Sequence, residues 1–93
     1  MRIILCAGEN GRAVVIGTVR KNPIPGEPVV MTDARMVLYW DSECGGLFGF
    51  AANGPKGRTR ITAPIPSLTE TAWKQAITVT NQAAEEIDKW PAV

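Results

Sequence analysis

Apolar residues run unbroken from Ile3 to Ala7 and return as Val14-Val15-Ile16 after a polar break. The break, Gly8-Glu9-Asn10-Gly11, holds an Asn-Gly step, a strong short-range turn signal. The second run, Arg12 to Arg20, is rich in β-branched side chains and bounded by arginines. Residues 2–20 therefore read as a β-hairpin. Gly17 interrupts the side-chain row and marks a bulge or a close backbone approach.

Residues 22–28, Asn-Pro-Ile-Pro-Gly-Glu-Pro, cannot hold regular structure, because proline removes donors and fixes φ. Pro25-Gly26 suits the centre of a type II turn. Residues 29–32 add a short strand. Ala34 to Trp40 is a better one: Met36, Leu38 and Trp40 alternate with Arg35, Val37 and Tyr39. Both faces carry apolar bulk, as in a central strand or one covered by a partner. Asp41 to Gly46 is a turn. Leu47 to Ala51 reads as a strand containing a glycine, Asn53 to Gly57 as a tight turn, and Arg58 to Ala63 as the return strand of a second hairpin.

Ala63-Pro64-Ile65-Pro66 reads as an extended linker, since proline disfavours helix in the residue before it. Ser67-Leu68-Thr69-Glu70 has the pattern of a capping box. Trp73, Ala76, Ile77, Thr80, Ala83, Ala84, Ile87 and Trp90 then recur at three- and four-residue spacing, as one helical stripe. Glu70 with Lys74, and Glu85 with Lys89, are spaced for helical ion pairs. Pro91 stops the helix. The expected fold is α+β: one domain over residues 1–93, with an antiparallel sheet of about 4–5 strands within residues 2–66 and one C-terminal helix over about 68–90.

A chain of 93 residues is one small domain with a modest core. A hydrophobic share of 45% against 20% charged leaves apolar surface for self-association, so a homo-oligomer is expected. Net charge is +1 with no histidine, which argues against nucleic-acid binding driven by bulk charge. Residues 1–66 hold eight Lys/Arg against five Asp/Glu, and residues 67–93 hold two against four. The strand region is thus mildly basic and the helix mildly acidic. Cys6 lies in an apolar run, as a small buried hydrophobe does. Cys44 precedes two glycines in a turn. Two cysteines without histidine cannot build an ordinary structural zinc site, and a disulfide between them is unforced. The N-terminus does not read as a signal peptide, and no apolar run reaches membrane-spanning length. The expectation is a cytoplasmic protein with reduced thiols, no cofactor and no membrane partner.

Three stretches are candidate sites. Residues 45–60 are glycine-rich and basic: Lys56, Arg58 and Arg60 can pair with phosphate or carboxylate, with Asn53 and Gly54 in the turn between. The spacing matches no nucleotide-binding motif. The plainer reading is a hairpin whose glycines serve turns and whose arginines face solvent. Arg35 and Tyr39 share a strand face, a pairing used for stacking or interfaces; a face covered by the helix is the plainer reading. Trp73 and Trp90 bracket the helix, whose alanines allow close packing against the sheet or, alternatively, against a second copy. Without histidine, Ser-His and Cys-His nucleophile pairs are impossible within the chain. Its carboxylates show no spacing that demands a catalytic pair, so no enzyme activity is expected.

The runs Ala34 to Trp40, Gly45 to Pro55 and Arg60-Ile61-Thr62 resemble a family of small uncharacterised proteins encoded by bacteriophages and prophages. The family has no established activity, so no residue roles carry over. The resemblance implies a viral accessory protein, including the class that inhibits host defence. Such proteins occlude a host protein or sequester a nucleotide signal. Blocking a host protein is the leading expectation. Sequestration of a nucleotide or other small anion, with Lys56, Arg58 and Arg60 as ligands, is second. Single-stranded nucleic-acid binding is third.

Overall fold

In the computed structural model, which describes Met1–Val93, β1 (Arg2–Ala7) and β2 (Ala13–Thr18) form the expected antiparallel hairpin. Gly8 and Gly11 both take positive φ in its loop, where glycine carries no Cβ penalty. The proline-rich connector closes as a type II turn, with Gly26 at φ 87° and the Glu27 N–H donating to the Ile24 carbonyl at 3.0 Å.

The strands expected at 29–32 and 34–40 are one strand, β3 (Val29–Tyr39), which pairs antiparallel with β2. The register slips between Ile16 and Thr18, opposite Asp33, whose φ is +50°. Gly17 lies at that slip. A Cβ there would stand 2.8 Å from the Met31 Cε, so both readings of Gly17, bulge and close approach, hold together.

Residues 47–51 are helical, not a strand. A 3-10 turn over Ser42–Cys44 leads through Gly45 into α1 (Gly46–Asn53). Leu47, Phe50 and Ala51 face the core at helical spacing. A short apolar run bounded by glycines does not reveal its period. The return strand shrinks to β4 (Arg60–Ile61), and its partner is β3.

Residues 65–80 depart furthest from the expected helix. Ser67 to Glu70 is not a capping box but part of β5 (Ile65–Glu70), which pairs with the first half of β3. Trp73, Ala76 and Ile77 lie on β6 (Trp73–Thr78), which pairs with β1. The C-terminal helix is only α2 (Asn81–Lys89). Its cap is Thr80, whose Oγ1 accepts from the Ala83 N–H at 3.1 Å and donates to the Ala52 carbonyl at 2.6 Å. Ala83 and Ile87 face the core as expected, and the helix ends before Pro91. Neither expected helical ion pair forms. Glu70 and Lys74 are on strands, and Lys89 reaches Glu86 instead, at 4.0 Å.

The sheet thus has six strands in the order β4-β3-β2-β1-β6, with β5 also on β3. Two residues separate β5 from β6, so one bent segment pairs first with β3 and then with β1, rolling the sheet on itself. The rolled interior holds Ile3, Leu5, Val15, Val29 and Met31, with Leu68, Trp73 and Ala76 packed against them. A second core lies outside the roll, under the helices, where Ile4, Val14, Ile16 and Val37 meet Phe50, Ala83 and Ile87. Burying one such aliphatic or aromatic side chain contributes about 1.5–3 kcal/mol. Cys6 and Cys44 are both buried free thiols, and burial raises the pKa of Cys6. No helix is long and apolar enough to cross a membrane.

Candidate functional site

Beyond Asp33, the side chains of β3 alternate between two environments. Arg35 and Val37 point under the helices and are buried. Met36 and Leu38 point the other way and stand 44% and 54% exposed; beyond Val37 the alternation ends, and Tyr39 and Trp40, the residue just after the strand, are exposed too. Met36 lies beside Val15 and belongs to the side of the sheet that lines the roll. Strand β5 leaves β3 after Ala34, so Met36 and Leu38 stay about half exposed. The row is an open continuation of the inner core. Tyr39, half exposed, lies beside Arg60 of β4 at the end of the same strand. Contiguous exposed apolar side chains on a rigid strand are uncommon on surfaces that meet only water.

The sequence signal for this row was the double-faced apolar alternation of residues 34–40. It is not Arg35 that Tyr39 accompanies on a free surface. Arg35 is 7% exposed. Its Nε donates to the Thr62 carbonyl at 2.7 Å, Nη1 to that of Ile87 at 2.6 Å, and Nη2 to that of Trp90 at 3.0 Å. This guanidinium ties the end of α2 to the segment after β4. Burial lowers its pKa; Asp88 opposes that shift and Arg2 adds to it. Trp73 and Trp90 also hold segments together. The Trp73 indole N–H donates to the Glu27 carbonyl and that of Trp90 to the Thr59 carbonyl, both at 2.8 Å.

The stretch 45–60 is organised around a carboxylate. Asp41 accepts from the N–H of Glu43 through Oδ1 and from the N–H of Arg58 through Oδ2, each at 3.0 Å. These bonds, Glu43 first and Arg58 second, hold its pKa below the ordinary value. Two backbone donors of this region, the N–H groups of Glu43 and Arg58, are therefore already bound to Asp41. Gly54, at φ +88°, is wedged against α2, where a Cβ would meet that of Glu86 at 2.8 Å. Asn53 is the last residue of α1 and is exposed. Lys56, Arg58 and Arg60 are exposed and take part in no ion pair; the pairs present are Arg2–Asp88 and Lys89–Glu86.

A carboxylate whose folded pKa is depressed stabilises the fold above its unfolded pKa. That contribution is lost as the pH falls through the folded value. Asp41→Asn is thus expected to melt below wild type at neutral pH. The gap should close as the pH is taken below the ordinary carboxylate value of about 4. Melting curves of both proteins against pH check this, and a gap independent of pH contradicts it.

The architecture is α+β, a rolled antiparallel sheet with two helices on one face and an apolar row exposed on the other. A family model matches residues 2–87, and its description is "Domain of unknown function (DUF6948)". The chain belongs to that family. No curated protein and no solved structure matches it.

Proposed function

We propose that this chain is a non-enzymatic binding protein, encoded by a phage, that blocks a host protein in the cytoplasm through the apolar row of β3. One observation carries the reading: Met36 and Leu38 are exposed on a strand whose alternate side chains, Arg35 and Val37, are locked in the core, and Tyr39 and Trp40 extend the exposed apolar surface at its end. The row is therefore presented rigidly, which lowers the ordering cost of binding. Tyr39 and Trp40 supply aromatic anchors of the kind that dominate interface energetics.

Leu38→Asp tests it. The side chain is exposed, so the substitution is expected to cost about 1 kcal/mol or less of stability. At the centre of an interface it costs about 2 kcal/mol or more of affinity. The wild-type protein should retain a host protein that the variant, still folded by circular dichroism, releases. Equal retention by both removes the row from the interface.

Sequestration of a nucleotide is the second reading, favoured by the three cations without carboxylate partners, Lys56, Arg58 and Arg60. Stabilisation by cyclic or linear nucleotides, lost in Arg58→Ala with Arg60→Ala, supports it over the first. Single-stranded nucleic-acid binding is separated by steep salt dependence. Self-association through the same apolar row is read by sedimentation over a range of concentrations.

A further inference from the structure

On the opposite side of β3, a cavity of about 380 Å³ opens between the end of α2 and the Asp33 bulge. Its walls bring together charges from three distant segments: Arg2 of β1, Asp33 and Arg35 of β3, and Asp88 of α2. Trp90, Pro64 and Ile16 supply apolar wall.

Three features set this cavity apart. Asp33, the one non-glycine residue with positive φ, sits at the β3 bulge, which sets it at the cavity wall. Its exposed carboxylate makes neither an ion pair nor a hydrogen bond within the chain, and so is open to a ligand at the cavity mouth. Arg35 is a buried cation whose partners are carbonyls, none of them a carboxylate. Lastly, the donors are not exhausted. A guanidinium carries five N–H groups; Arg35 commits three, and Arg2 commits two to Asp88, at 2.8 and 3.3 Å.

The charges also restrict the ligand. Two arginines face two aspartates, so the cavity is neutral overall. A multiply charged phosphate would meet two carboxylates as well as the cations. A small molecule with one anionic and one cationic end leaves the balance intact. The volume lies at the lower end of the range for small-molecule sites, roughly 300–1,000 Å³.

We infer that this cavity binds a small zwitterion of the α-amino-acid class, its carboxylate on the free N–H groups of Arg35 and Arg2 and its ammonium on Asp33. The side chain of the ligand lies against Trp90 and Pro64. This site is separate from the apolar row, and its occupancy does not depend on what the row binds.

The test is thermal melting and Trp fluorescence of the full chain with each of the twenty free L-amino acids. Inorganic phosphate, AMP and GMP serve as anionic comparisons. At least one amino acid should raise Tm saturably, by roughly 10 °C or more at a hundredfold excess over its Kd. Its amide, which lacks the carboxylate, and its N-acetyl derivative, which lacks the ammonium, should not. Asp33→Asn keeps a residue that tolerates positive φ, so it should fold and lose the response. Absence of any amino-acid response overturns the inference. So does an unchanged response in Asp33→Asn, or stabilisation by the phosphates alone.

Discussion

Arg35→Met is expected to be strongly destabilising although it removes no apolar contact surface. Methionine fills similar space but donates nothing. The carbonyls of Thr62 and Trp90 then lose their guanidinium donors, and that of Ile87 keeps only the Trp90 backbone N–H. Leaving a buried or part-buried polar group unpaired costs about 1–3 kcal/mol, so the loss here is about 3–5 kcal/mol in total, a large part of the roughly 5–15 kcal/mol that holds a domain folded. For a chain of this size the corresponding fall in Tm is on the order of 15 °C or more. Lysine in the same place keeps the charge but not the planar fork that reaches three carbonyls, so it should recover only part of the loss. Chemical denaturation of the three proteins measures this. A loss below about 1 kcal/mol for Arg35→Met would mean that water replaces the guanidinium at no real cost.

Gly49→Ala is the second large effect, and its direction opposes helix propensity. In an exposed helix, alanine in place of glycine stabilises by about 1 kcal/mol. Here the added Cβ would collide with the carbonyl oxygen of Cys44, at the end of the 3-10 turn. That oxygen is backbone, and the turn is fixed by Asp41 at its start and by Gly45, at φ 81°, at its end. Relief has to come from α1, which carries Phe50 and Ala51 into the core. Overpacking of this kind costs about 1–3 kcal/mol, sometimes more, and the net expectation is a loss of about 2 kcal/mol. A stabilised variant would show that the turn and α1 separate freely.

This glycine also shows why the stretch 45–54 misleads as sequence. Its glycines suggest turns and a cradle for an anion. In the fold, Gly49 lets a turn pack on a helix, and Gly54 lets α1 end against α2. Close approach and ligand binding leave the same mark on a sequence, and only tertiary contacts separate them. The stretch 65–80 misleads differently. Ser67 and Glu70 have capping-box spacing, and Trp73, Ala76 and Ile77 have helical spacing. The β-branched residues Thr69, Thr71, Ile77, Thr78 and Val79 point the other way. The outcome rests on pairing with β3 and β1, tens of residues earlier in the chain, which no local window contains. Where the structure is local, the sequence is legible: the 2–20 hairpin, the turn at Pro25-Gly26 and the stop at Pro91 all stand. The alternation of residues 34–40 was legible too, and its two apolar faces foreshadow the candidate site. Which face stays open depends on where β5 leaves β3, and that is again long-range.

A working surface on the apolar row of β3 must hold a partner in the cell. Native mass spectrometry of the chain isolated from its own host tests it most directly, with wild type beside a Met36→Asp, Leu38→Asp variant. Wild type should carry a host protein at fixed stoichiometry, and the folded variant should travel without it. The same bound protein on both, or none on the wild type, contradicts it.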